Sequence, residues 1–261
     1  MLPVVLPILA PIFRPIAASR QALGVRQWTD GPAFYLIGPM TEPTAAIRQP
    51  RGPNAERRAA TREKIMAAGV RRLYERGYAG ATTPEIAKAA GVARGSLLHQ
   101  FPTKVDLILA VAEYAATKQG EFLRTHRMTG GSKRDQFIDS IDRLWAALRQ
   151  PEGIALIEIM LATRHEPELA GRYARFAKAY ERSLARGLAK LAERAGLEAT
   201  AALERQARFT LTSLRGLAVE TMFSGDPQAS EQSVALLKAY RAAFFDAAQA
   251  EVRPKPTVVV G

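Results

Sequence analysis

Cysteine is absent from all 261 residues, so neither a disulfide framework nor a thiolate metal site is open to this chain. Histidine is scarce. His99, His126 and His165 are the only three, and no two stand at metal-ligand spacing, which argues against a zinc centre. No nucleophile is paired with a base in the sequence, so an enzyme is not expected and no cofactor is implied. Strand-like alternation is also missing, and 48% hydrophobic residues with only 7% aromatic fit an Ala- and Leu-rich all-α protein. The apolar opening is broken at every helical turn by Pro3, Pro7, Pro11 and Pro15, with no basic residue ahead of it. Neither a signal peptide nor a membrane helix is expected, and the protein is read as cytoplasmic.

Acidic residues are outnumbered, 25 against 37 basic, and the imbalance is local. Residues 1–50 carry a net +2, residues 51–104 carry +7 and the remainder +3. The middle segment therefore holds most of the charge that would release counterions from a nucleic acid.

That segment contains TTPEIAKAAGVARGSLLHQF, Thr82 to Phe101. Thr82 with Glu85 three residues on forms a capping-box pair, and Pro84 is tolerated in a first turn. Ile86, Ala87 and Ala90 fall on one face. Gly91 stops the helix by entering the left-handed region, and Phe101-Pro102 closes a second one. Two short helices joined by a Gly turn match a DNA-reading helix-turn-helix. With Val92 and Leu97 inward, the second helix turns Gly95, Ser96, Leu98 and His99 outward, with Arg94 and Gln100 at the margins. Arg94 suits a guanine edge, Gln100 an adenine, and Gly95 a close approach of backbone to duplex.

Upstream, TREKIMAAGVRRLYERGY places Ile65, Ala68, Leu73 and Tyr74 at helical intervals, ends at Gly77, and carries Arg62, Lys64, Arg71, Arg72 and Arg76 on its other faces. Together with TTPEIAKAAGV and RGSLLHQFPTKVDLI, this stretch resembles the DNA-binding domain of the tetracycline-repressor (TetR) family over Thr61 to Ala110. The resemblance implies a three-helix DNA-binding head and a larger helical body for effector binding and dimerisation. By position it assigns Thr82 to a phosphate, Arg94 and Ser96 to bases, and Lys104 to the backbone. Two positions depart from the pattern. Ala93 stands where a capping Ser or Thr is usual, a loss of about 1 kcal/mol, and Leu98 replaces a phosphate-binding Tyr but suits a thymine methyl.

The expected organisation is an extension with a basic arm at 1–57, the helix-turn-helix head at 58–104, the helical body at 105–251 and a disordered tail at 252–261. Residues 1–39 read as a disordered tail or as an upstream extension ahead of a start at Met40, which intact-mass measurement would distinguish. In the body, helices are expected over Thr103–His126, Lys133–Arg149, Glu152–His165, Pro167–Ala195, Thr200–Phe223 and Gln228–Glu251. Leu203, Ala207, Thr210, Leu214, Leu217 and Thr221 form an alternating seam, with Val234, Leu237, Phe244 and Phe245 opposite. Periodicity alone permits an internal core. The resemblance implies a two-fold homodimer through these last two helices, on a palindromic double-stranded operator.

Trp145, Glu158, Arg164, Tyr173 and Phe176 are the candidate contacts to a small-molecule effector whose identity the sequence leaves open. The reading that follows is a ligand-responsive DNA-binding repressor. The alternative is a helical ligand-binding or interaction protein in which Ala93 and Leu98 mark weakened DNA recognition.

Overall fold

A computed structural model describes residues 53–126, 131–223 and 226–252, and among these all regular structure is α-helical. The expectations for residues 1–52 and for the C-terminal tail from 253 onward lie outside the described residues. Helix α1 spans Pro53–Gly80 and is interrupted at Gly77, whose φ of 64° and ψ of −177° leave the helical region. It thus starts ahead of residue 58, and its regular part stops at the expected glycine. Helices α2 (Thr83–Ala90) and α3 (Arg94–Gln100) follow, then α4 (Lys104–Thr125) leads into the body. The body continues with α5 (Lys133–Ile138), α6 (Ser140–Leu148), α7 (Pro151–Ala162), α8 (Pro167–Arg194), α9 (Ala201–Glu220) and α10 (Pro227–Val252).

The buried face of α1 carries Ile65, Ala68, Val70 and Leu73. Tyr74 was expected with them and is instead 51% exposed. One step of about 100° past Leu73 carries it off the apolar stripe, and Val70 takes up that part of the face. These residues, with Ile86, Leu97 and Phe101 of the head, share one apolar core with Leu107, Ile108 and Val111 of α4, Ala155 and Ile159 of α7, and Leu169 and Tyr173 of α8.

The segment expected as one helix from Lys133 to Arg149 is two, parted at Asp139. At the break the Phe137 carbonyl is drawn out of the helical ladder. It accepts the Ser140 hydroxyl at 2.7 Å and an Arg241 N–H at 3.4 Å, in place of an unbroken ladder. In α9 the seam residues Leu203, Thr210 and Leu214 are buried within the chain, packed on α5, α6 and α10. A different face of the same pair stays open, with Phe209 at 53% and Leu236 at 49% exposure, and Phe223 in the turn after α9 is 77% exposed.

Candidate nucleic-acid interface

The reading helix is anchored from behind. Ile86 and Leu97 are wholly buried, Phe101 is 2% exposed and Val92 is half-buried against them. With the back fixed, Arg94, Gly95, Ser96, Leu98 and His99 all face solvent, and Gln100 is half-buried at the margin. The outward row is therefore the one the helical wheel predicts.

The turn ahead of it is built by backbone chemistry. Gly91 adopts φ 65° and ψ 36°, and the amides of Gly91 and Val92 bond the carbonyls of Lys88 and Ala87 at 3.2 and 3.1 Å, a Schellman pair. At the start of α2 the Thr82 hydroxyl accepts from the Glu85 amide at 3.4 Å, but the reciprocal arm from Glu85 is not formed. Full capping boxes occur instead at Thr103–Asp106 and Ser132–Asp135, where the shorter aspartate closes the ring. Helix α3 is preceded at its cap position by Ala93, which supplies no side-chain hydrogen bond to its first amides.

Lys104 stands close to the reading unit but is already engaged. Its Nζ lies 3.9 Å from the centroid of the Tyr78 ring and donates to the Tyr78 carbonyl at 3.5 Å. Burial lowers the ammonium pKa, opposed by the field of Glu166. The same burial, with Glu166, raises the Tyr78 phenol. Around this core α1 exposes Arg57, Arg58, Arg62, Lys64, Arg71 and Arg76, with Arg62 stacked 4.4 Å over the Phe101 ring.

The five effector candidates do not surround one cavity. Tyr173 lines a small enclosed space of about 10 Å³ with Gly153, Ile157, Met160, Tyr180 and Arg215. Phe176 is tilted against Tyr173 and stacked on Tyr180, and its edge lines an open cleft of about 810 Å³ between the end of α3, α4 and α8. Trp145 packs in a separate cluster with Leu148, Ile157 and Leu214. Arg164 is exposed beyond the end of α7. Glu158 reaches away from the cavity, accepting from the Tyr78 amide at 3.1 Å. Sequence reasoning missed this pairing. The available signal was a lone carboxylate inside the apolar run GIALIEIMLA.

Two family models match the chain. The bacterial regulatory proteins of the tetR family match residues 65–111, and the C-terminal domain of BetI-type transcriptional repressors matches residues 140–246. The chain belongs to the tetR family of bacterial regulatory proteins. Among curated relatives, this tetR-family chain is 45% identical over 64 residues to the HTH-type transcriptional regulator CymR of Pseudomonas putida, covering 24% of this chain and 32% of that protein. It is 28% identical over 112 residues to the HTH-type transcriptional repressor AcnR of Corynebacterium diphtheriae, covering 43% and 55%. The matched stretches thus span from a third to just over half of those relatives.

Solved structures agree in fold. A transcriptional regulator from Rhodococcus sp. Rha1 superposes with a TM-score of 0.58 at 22% identity, covering 70% of this chain and 96% of that one. A TetR transcriptional regulator from Chloroflexus aurantiacus J-10-FL gives 0.57 at 20% identity, covering 71% and 96%. Among the described residues no helix is long and apolar enough to cross a membrane.

Proposed function

We propose that this tetR-family chain is a cytoplasmic transcriptional repressor that binds a palindromic DNA operator as a homodimer and is released by a small lipophilic effector. The observation that carries the reading is the outward row of Arg94, Gly95, Ser96, Leu98 and His99, standing on the buried anchors Leu97 and Ile86. An exposed guanidinium beside a small hydroxyl and a glycine is what a major groove accepts. Arg94 pairs bidentately with a guanine, and Gly95 lets the backbone approach. Thr82 and the uncapped amides of α3 meet phosphates, while Gln100 and Leu98 read neighbouring bases. Similarity to the repressor AcnR supports repression as the mode of control.

The dimer reading rests on the open apolar face of α9 and α10. Phe209 meets Tyr240 edge-to-face at 6.3 Å between centroids, and Leu236 lies one helical turn from Tyr240. Such a patch on the last two helices supports a two-fold pairing. The effector reading rests on the enclosed space beside Tyr173 and Tyr180, which an apolar molecule enters by parting α7 from α8.

A second reading is favoured by Ala93 and Leu98. With no capping side chain and a 37% exposed leucine in place of a phosphate donor, the chain becomes a ligand-binding helical protein with weak DNA recognition. Selection of duplexes from randomised DNA separates the two. The repressor reading predicts a two-fold symmetric consensus, and Arg94→Ala lowers specific over non-specific affinity by about 1–3 kcal/mol. Equal binding of random duplex by wild type and Arg94→Ala supports the second reading.

A further inference from the structure

Glu158 belongs to the body by sequence and to the head by contact. It lies on α7, where Gly153, Ile157 and Met160 form part of the wall of the enclosed cavity. Its own carboxylate points the other way, and Oε2 accepts the Tyr78 amide at 3.1 Å across 80 positions of sequence. That amide follows Gly77, whose φ of 64° with ψ of −177° is backbone that only glycine adopts without strain. A β-carbon added at Gly77 would sit 3.1 Å from the same Oε2. The kink and the carboxylate are therefore fitted to each other.

The far side of Tyr78 is held as well. Lys104, at the first turn of α4, donates to its carbonyl at 3.5 Å and lies 3.9 Å from its ring centroid. Tyr78 is thus gripped between an anion from the body and a cation from the start of α4. Only Ala79 to Thr82 separate it from α2, and α2 is joined to the reading helix by the Gly91 turn. Whatever orients Tyr78 orients α2 and α3 as a unit.

We infer that Glu158 is a positioning residue for DNA recognition. It acts through Tyr78 to help set the angle of the reading helix, and it is the polar contact through which a displacement of α7 reaches the head. The inference rests on the repressor reading above. A shift of α7 by roughly 1 Å away from Tyr78 stretches a 3.1 Å bond beyond hydrogen-bonding range. The head then loses its polar tie to α7 at Tyr78, while the apolar core it shares with the body stays in place.

The test uses the full-length chain, a duplex selected by the wild type from randomised DNA, and a scrambled duplex of equal length. Glu158→Ala is expected to weaken the selected duplex about tenfold or more while leaving the scrambled one within about twofold, since one charge-assisted hydrogen bond is lost and no basic side chain is touched. Glu158→Gln restores most of the loss, because the amide oxygen still accepts from Tyr78. Hydrogen exchange over residues 77–82 gives a readout that needs no DNA: protected in wild type and Glu158→Gln, accelerated in Glu158→Ala. An unchanged affinity ratio in Glu158→Ala overturns the inference. So does equal loss in Glu158→Gln, or a wild-type Tyr78 amide exchanging at the open-chain rate, which decides the matter should the alanine variant not fold. If the wild type selects no duplex, the repressor reading fails, while exchange at Tyr78 still reports on the contact.

Discussion

Arg241 donates to the Thr210 hydroxyl at 3.2 Å in a part of the body where it has no acidic partner among the described residues. The residue is 2% exposed, and its guanidinium bonds Ser140 Oγ at 2.6 Å, lies 5.2 Å from the Phe137 ring centroid and leaves Nε without a hydrogen-bond partner among the described residues. Burial pushes its pKa down from 12.5 to about 9. A buried cation compensated, among the described residues, by hydroxyls, a carbonyl and a ring joins α10 to α5, α6 and α9 at a net electrostatic cost. Replacing it by an apolar side chain of similar length removes that cost, whereas truncation opens a cavity. Arg241→Met is expected to unfold at the same or higher denaturant concentration than wild type, and Arg241→Ala to lose about 2–4 kcal/mol in the same measurement.

Alkaline pH acts on the body most strongly through two buried phenols. Burial raises Tyr173 and Tyr180 from 10 to about 12. Between those values the unfolded chain gives up its protons first, so the stabilisation is complete below pH 10 and is lost as pH rises through 12. Arg241 acts in the opposite sense from pH 9 upward, since the unfolded state holds that proton longer. Ultraviolet titration of tyrosinate should show a late-ionising pair that Tyr180→Phe reduces by one. The alkaline fall in stability should be steeper in Arg241→Met than in wild type.

Two glycines with positive φ are expected to respond differently to alanine. At Gly91 nothing lies within 4 Å of the added β-carbon, so only the left-handed backbone opposes it, at about 1–2 kcal/mol. At Gly77 the backbone is glycine-only and Glu158 is 3.1 Å away. Gly77→Ala should cost up to about 3 kcal/mol in equilibrium unfolding, and Glu158→Ala in the same chain should recover part of it.

The exposed faces of α9 and α10 predict assembly. Phe209→Asp or Leu236→Asp should shift sedimentation from dimer to monomer at micromolar concentration with helical content unchanged, because both side chains are half-exposed in the single chain. A wild-type monomer under those conditions would remove the basis for a palindromic operator.

Most of the helical plan was legible because its punctuation is local. Pro167 opens α8, and Gly91 closes α2 with its carbonyls satisfied by the next two amides, each a matter of a few neighbouring residues. The outward row on α3 followed from one buried leucine and helical geometry. Tyr74 turned out exposed and Val70 buried because both border the stripe, and packing against α7 and α2 decides between them. The break at Asp139 depends on Arg241, about a hundred residues away, and the role of Glu158 depends on an amide 80 residues away. Periodicity carries no information about such distant partners. The effector candidates were chosen by residue type, which is why they scatter over a core cluster, a cavity, a cleft and the surface.

The common core of α1 and α7 bears on how this protein can be recombined with its kin. Ile65 and Leu73 pack in the same cluster as Ala155 and Ile159, so residues 53–103 are no detachable cassette. A chimera that transplants only the reading unit would expose that seam and leave the donor's Gly77 facing a foreign side chain. Swapping specificity between relatives therefore calls for moving α7 along with it.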